Sequence, residues 1–319
     1  MSENPIIIDT DGGIDDALAI TVARNYLQAE IKAVTTVGGN IPLKQASSNI
    51  CLLLSFISPK SGSTIPVYEG SAKPLEGGAY HHAYEYHGKD GMGGLSSKLK
   101  KDVGSTLHEI SKGKAWDKIA EICAAEKGKV KIIAIGPLTN IAKAILDHPK
   151  EMKKTAEIIV MGGAFHSPGN ITPAAEFNIY SDPAAAEIVF ASKIPLKLIG
   201  LNITERAYLS QWEVEKKFSG RTDRKCIFLK ELMMCHITLH EKAEKFSGLF
   251  LHDPVAVIAG FKSDLFQWTT REVNVETGKG VARGMTVIDT RRKSKEQGKT
   301  QVAFEADILR IKEMILGAL

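Results

Sequence analysis

Cysteine is scarce in this chain. Four residues in 319, Cys51, Cys123, Cys226 and Cys235, form no CxxC pair and show no zinc-ligand spacing. A disulfide-stapled secreted scaffold and a zinc ribbon are thereby excluded, and the thiols read as reduced and structural. Long hydrophobic runs are also missing: nothing approaches the roughly 20 apolar residues of a membrane span. The start, MSENPIIID, lacks the basic and apolar regions of a signal peptide. No membrane partner is expected, and the cytoplasm is the expected location. Charge of one sign is lacking too. The 41 basic and 37 acidic side chains leave a net +4, too little to argue for a nucleic-acid partner. No repeat or low-complexity tract is visible.

What is present is an ordinary globular composition, 44% hydrophobic and 24% charged, long enough for a sizeable core. Short β-rich runs alternate with amphipathic helical stretches. The strand Ile6 to Ile8 leads through a Gly turn to a helix from about Asp15 to Leu27. The strand Ile31 to Val37 leads through Gly38-Gly39 to a helix from Leu43 to Ile57. The strand Val130 to Ile135 leads through Gly136-Pro137 to a helix from Leu138 to Leu146. Further strands are expected at Ile158 to Met161 and Leu196 to Leu201, with a helix starting at Asp182-Pro183 between them. Repeated strand-turn-helix units predict an α/β fold with a mainly parallel, doubly covered central sheet, a Rossmann-like open sheet. One domain is expected over residues 1–319. The glycine-rich stretch near 70–105 reads as a surface lid loop and the region near 209–246 as a helical insertion. The tail returns to strands at Glu272 to Glu276, Met285 to Ile288 and Gln301 to Phe304, with the basic run RRKSKEQGK (291–299) as a solvated hairpin tip.

The densest chemical signal follows the first strand. Asp9, Asp11, Asp15 and Asp16 place four carboxylates within eight residues, at a strand's carboxyl end, where ligands bind in open parallel sheets. Asp9 and Asp11 point the same way while the chain stays extended, and Gly12-Gly13 permits a turn that brings Asp15 and Asp16 back. An isolated Asp-Asp pair at a helix start is most simply a cap. Four crowded carboxylates are costly without a cation, and hard oxygen ligands suit Ca²⁺ or Mg²⁺. Asn40, after Gly38-Gly39, and the Gly136-Pro137-Leu138-Thr139-Asn140 turn offer amide and carbonyl groups at neighbouring strand ends. Asn170, Glu176 and Asn178 lie in a glycine-rich segment suited to sugar hydroxyls. Asp253, in Leu251-His252-Asp253-Pro254, taken alone is an N-cap before an N1 proline.

Together DTDGGIDDALAI, TTVGGN, GPLTNIA, AEFNIYSDPAAA and LHDPVAV, with the weaker ARGMTVID, resemble the successive signatures of the inosine-uridine nucleoside hydrolase family, in the family's order. The resemblance implies the nucleoside hydrolase fold and Ca²⁺ held by Asp11, Asp16, Asp253 and the main-chain carbonyl of Thr139. It implies a ribose pocket in which Asp15, Asn40, Asn178 and Asp253 hold the 2′ and 3′ hydroxyls while Asn170, Glu176 and Met161 surround the 5′ end. The family pattern has Pro where Gly12 stands, so a looser turn is expected here. The Met161 to Asn170 spacing is about one residue longer than the pattern.

The implied reaction is hydrolysis of the N-glycosidic bond of a ribonucleoside, through an oxocarbenium-like transition state. Asp11 is the expected acceptor of the water's proton. His252, and next His87, are candidates to protonate or hydrogen-bond the leaving base. His81 and His82 beside Tyr84 and Tyr86 either stack over the base or form lid surface. His236 and His240, four apart on a helix, do not form the HExxH zinc motif and read as structural. Base contacts are expected from Tyr80 to Met92 and Arg224 to His240, and a homodimer or homotetramer by resemblance. Two other readings are a DxD-type Mg²⁺-dependent phosphatase and a nucleoside- or sugar-binding protein without turnover.

Overall fold

Strand β1 (Ile6–Thr10) is Ile-Ile-Ile-Asp-Thr and buried along its whole length, as a strand covered on both faces must be. Its side chains alternate between two cores. Ile6 and Ile8 join a cluster with the helices Ile14–Asn25, Leu43–Ile57 and His252–Phe261. Ile7 joins a second with Ala115–Ala125, Thr139–Asp147 and Pro183–Ala191 on the opposite face. The computed structural model describes residues 4–25, 29–57, 65–104, 107–289, 291 and 300–319. The expected hairpin tip at 291–299 lies, apart from Arg291, outside them.

The remaining strands are β2 (Ile31–Thr36), β3 (Val67–Glu69), β4 (Lys131–Ala134), β5 (Glu157–Met161), β6 (Leu196–Ile199), β7 (Tyr208–Ser210), β8 (Gly248–Phe250), β9 (Phe266–Arg271), β10 (Val273–Val275), β11 (Thr286–Ile288) and β12 (Thr300–Ala306). The main sheet has eight strands in the order β3-β2-β1-β4-β5-β6-β12-β9. All neighbours are parallel except β9, which closes one edge antiparallel to β12. β7 and β8 form a small antiparallel pair, as do β10 and β11. The strand order reverses between β1 and β4, and such a switch point opens a crevice at the strands' carboxyl ends.

The expected α/β architecture is therefore observed, with helix Leu43–Ile57 at its expected bounds. The 70–105 stretch differs from a plain surface loop. It contains the helices Tyr84–His87 and Ser96–Val103, and Met92 and Leu99 are fully buried. Its glycines do turn the chain, but its few apolar side chains are enough to seat it against helix Leu43–Ile57. The 209–246 region likewise buries a stripe. Helix Arg224–Glu244, capped by Asp223, turns Phe228, Leu229, Leu232 and Met233 into the core. No described helix is long and apolar enough to cross a membrane.

Candidate active site

At the end of β1 the chain folds back on itself. Asp16 accepts hydrogen bonds from the Thr10 hydroxyl, from the Gly13 N–H at 2.8 Å and from the Asp11 N–H at 3.2 Å. One carboxylate thus closes the turn and starts helix Ile14–Asn25. Gly12 stands at φ +75°, with a Cβ there falling 2.7 Å from the Ala46 Cα, and Asn49 donates to its carbonyl at 3.2 Å. Proline holds φ near −65° and cannot take this shape. The turn is therefore a differently built and tightly packed one, where a looser one was expected.

Asp11 is oriented from the next strand end. Asn40 donates both its main-chain N–H (2.7 Å) and its Nδ2 (3.0 Å) to the Asp11 carboxylate. Gly39 makes this approach possible, since a Cβ there would lie 2.1 Å from Asp11 Oδ2. Asp9 behaves otherwise. Its Oδ1 accepts from Thr35 at 2.5 Å and Asn140 at 2.8 Å, and it lies buried away from the cavity. The chain leaves the extended state after Thr10, so Asp9 and Asp11 do not address one point.

Asp253 arrives at the start of helix His252–Phe261, and its carboxylate meets those of Asp15 and Asp16. One oxygen from each lies within 4.8 Å of the others, all three buried. Burial first, then mutual repulsion, pushes the carboxyls up: Asp11 and Asp253 well above the ordinary value, Asp16 to about 6. Asp15 also rises to about 6 through burial. Among the described residues no lysine or arginine pairs with any of the four. The nearest cationic candidate, His87, stands 3.9 Å from Asp15 and is itself pushed down to about 4 by burial. Crowded oxygen donors without a counter-charge fit a hard divalent cation.

Above the cluster opens a cavity of about 230 Å³ lined by Asp15, Asn40, Asp253, Met161, Asn170, Glu176 and Asn178, all sequence-predicted. Glu176 caps helix Phe177–Ser181, accepting from the Asn178 and Ile179 N–H groups and from the Gly163 N–H at 3.1 Å. Burial raises its carboxyl to about 7. Asn170 accepts from the Phe177 N–H at 2.9 Å. Asn178 donates to the Met161 carbonyl at 3.2 Å and reaches the Ile135 carbonyl at 3.4 Å. Thr139 is placed elsewhere. Its hydroxyl donates to Asp182 at 2.6 Å and pairs with Tyr80, and it does not line the cavity. Its position inside helix Thr139–Asp147 commits its carbonyl to that helix, whereas Ile135, at the end of β4, does line the cavity.

The far wall carries histidines. His87 Nδ1 accepts the Ile14 N–H at 3.2 Å, which leaves Nε2 as the protonated nitrogen. His252 Nδ1 pairs with the Thr204 hydroxyl at 2.8 Å. His236 and His240, read from sequence as structural, both line the cavity, with their Nε2 atoms 3.1 Å apart. Burial lowers all four, His240 to about 4 and His252 to about 3. No sequence signal separates these two from core residues, because a helix face towards a cavity has the same period as one towards the core. Glu205, Glu244 and Phe250 complete this side. His81 and Tyr86 line the cavity, while His82 instead pairs with the Gly39 carbonyl at 2.7 Å.

The sequence profile of the inosine-uridine preferring nucleoside hydrolases matches residues 6–313. Uridine nucleosidase 1 of Arabidopsis thaliana is 37% identical over 290 residues, 89% of this chain and 81% of that protein. The pyrimidine-specific ribonucleoside hydrolase RihA of Salmonella enteritidis is 36% identical over 287 residues, 89% of this chain and 88% of that protein. Among solved structures, a plant nucleoside hydrolase superposes with a TM-score of 0.87 at 32% identity, covering 99% of this chain and 98% of the other. A purine-preferring ribonucleoside hydrolase from Gardnerella vaginalis gives 0.88 at 26%, covering 98% and 97%.

Proposed function

The chain belongs to the inosine-uridine preferring nucleoside hydrolase family, and from that premise we propose that Asp11 takes the proton of the attacking water beside one Ca²⁺ held in the aspartate cluster. That it is a nucleoside hydrolase acting on ribonucleosides follows from the family. The observation that carries the finer reading is the convergence of Asp15, Asp16 and Asp253, buried beneath a cavity at the sheet's switch point.

Asp11, Asp16 and Asp253 would hold the ion, with the Ile135 carbonyl better placed than that of Thr139 to add a main-chain oxygen. When bound, a hard divalent cation lowers the pKa of the attacking water and helps fix the ribose diol. Asp11, aimed by the two Asn40 donors and made more basic by burial and its carboxylate neighbours, is suited to accept a proton. The water oxygen bonds to C1′ as the bond from C1′ to the base nitrogen breaks; the electron pair leaves with the base, which takes up a proton from solvent while Asp11 gives its proton back to solvent. Asp15, Asp253, Asn40 and Asn178 hold the 2′ and 3′ hydroxyls, and Asn170, Glu176 and Met161 the 5′ end. The buried carboxylates also favour the positive charge that develops on the ribose.

His87, protonated on Nε2, donates a hydrogen bond to the departing base. His252 serves the same role as a neutral imidazole, since burial holds it far below the charged range at neutral pH. The names of the two relatives at 36–37% identity, rather than that of the purine-preferring structure at 26%, favour a pyrimidine ribonucleoside, uridine first, as substrate. The DxD phosphatase reading is disfavoured by the family match and by the Asp9 Oδ1, which is taken up by Thr35 and Asn140. The free thiols suit a reducing compartment such as the cytoplasm, and a homodimer or homotetramer is the proposed assembly, which sedimentation tests.

The direct experiment incubates the protein with uridine, cytidine, inosine and adenosine, with and without a chelator, and separates free base by chromatography. Uracil release that stops on chelation and returns with Ca²⁺ is expected. Unchanged release in chelator would remove the cation from the reading.

A further inference from the structure

The C-terminal motif ARGMTVID (282–289) takes no part in the chemistry above, yet it is attached to the ribose side of the cavity at three points. Met285 forms an antiparallel bridge with Ala175. Gly284, at φ +77°, lies so close to the next segment that a Cβ there would meet the Tyr180 Cα at 2.8 Å and the Ala175 Cβ at 3.2 Å. Thr286, almost fully buried at the start of β11, uses one hydroxyl for both polar groups of Ala164: it accepts the N–H at 3.0 Å and donates to the carbonyl at 3.2 Å.

Between these anchors runs the segment that carries Asn170, Glu176 and Asn178. Its first residue, Gly163, stands at φ +87°, with its carbonyl accepting from the Leu201 N–H at 3.0 Å and its N–H bonded to Glu176 Oε2 at 3.1 Å. A Cβ on Gly163 would sit 3.2 Å from both the methyl and the hydroxyl of Thr286. The threonine therefore packs on Gly163 with one atom and fixes its neighbour with the other. The ribbon is itself tied down by the Val275 N–H donating to Glu187 in helix Pro183–Ala191 at 2.8 Å.

From this arrangement we infer that Thr286 is a positioning residue of the ribose pocket, whose hydroxyl holds the 163–164 turn so that the Gly163 N–H stays aimed at Glu176. Thr286 does not line the cavity, so it acts through Gly163 and Glu176. The inference rests on the proposed contact of Glu176 with the ribose.

Valine at 286 keeps the shape and one methyl but leaves two buried polar groups of Ala164 unpartnered. T286V is expected to lose about tenfold in kcat/KM for uridine, mostly as raised KM, while T286S stays within about twofold of the parent. E176Q is expected to lower kcat/KM on its own, and T286V added to E176Q to bring little further loss, because the two changes cut one chain of contacts. A T286V loss that is undiminished in the E176Q background, or a T286S loss as large as that of T286V, would overturn the positioning role. Normal kcat/KM in E176Q would instead remove Glu176 from the ribose reading. If T286V fails to fold, T286A against T286S makes the same comparison.

Discussion

At the scale of single residues the site depends on burial deciding what each group can do. Asp11 is a carboxylate in a crowd of carboxylates, and only its two donors from Asn40 single it out in direction. Asp11→Asn keeps the size and removes the proposed acceptor of the proton. Turnover is expected to fall by at least about 10³-fold, measured as base release, on the usual worth of a general base together with a metal site. Near-parent rates would refute the role. The histidines lead to a second prediction. His87 at about 4 and His252 at about 3 are neutral throughout the working range, whereas Asp15 and Asp16 titrate at about 6 before any cation binds. The acidic limb of kcat/KM is thus expected to belong to the carboxylates and to move to lower pH as Ca²⁺ saturates the cluster. H252A should lower the rate while leaving that limb in place; its disappearance would make His252 a proton donor that titrates.

At the scale of elements, the strand-end turns matter more than the strands. Gly39 ends the β2 turn where any side chain would strike Asp11, its Cβ 2.1 Å from Oδ2 and 2.8 Å from the Asp11 Cβ. Gly39→Ala must push that carboxylate aside. Displacing a catalytic group by about an ångström costs on the order of 10² in rate. A calorimetric Ca²⁺ titration should show weaker binding together with the rate loss, and full retention of both would mean that Asp11 can move freely. The helices differ in legibility. Asp223 before helix Arg224–Glu244 and Asp182 before Pro183–Ala191 are local caps that a sequence displays. Which face of Arg224–Glu244 looks into the cavity is decided by how the helix docks, and His236 and His240 were legible only as a pair one turn apart. The antiparallel edge β9 and the buried Met92 and Leu99 of the 70–105 stretch also carried no periodic signal strong enough to read.

At the scale of the whole molecule, the acidic cluster sets how stability responds to pH. Asp15 and Asp16 at about 6, and Asp9 and Glu176 at about 7, hold protons more tightly folded than at their ordinary values of 3.8 and 4.5. Their contribution is present at low pH and is lost as pH rises through 6 to 7. The histidines act in the opposite sense, but only below 6.5, where the unfolded chain takes up protons that the folded one refuses. Without divalent cations the melting temperature is therefore expected to fall between about pH 6.5 and 7.5 and to level off above that. Saturating Ca²⁺ should raise it and flatten that slope, because a ligand of the folded state adds stability. Parallel melting curves with and without Ca²⁺ would argue against an ion in the cluster. The sequence by itself determined the alternation of strands and helices, the mainly parallel sheet and the acidic turn after β1, since hydrophobic period and turn chemistry are properties of neighbouring residues. Only the tertiary structure decided that Asp253 joins Asp15 and Asp16 while Asp9 is taken up by Thr35 and Asn140, that Ile135 and not Thr139 lines the cavity, and that Thr286 bonds to Ala164 in the turn before Glu176. Those outcomes depend on strand order, on crossovers and on backbone approach between segments far apart in the chain, which no local pattern encodes.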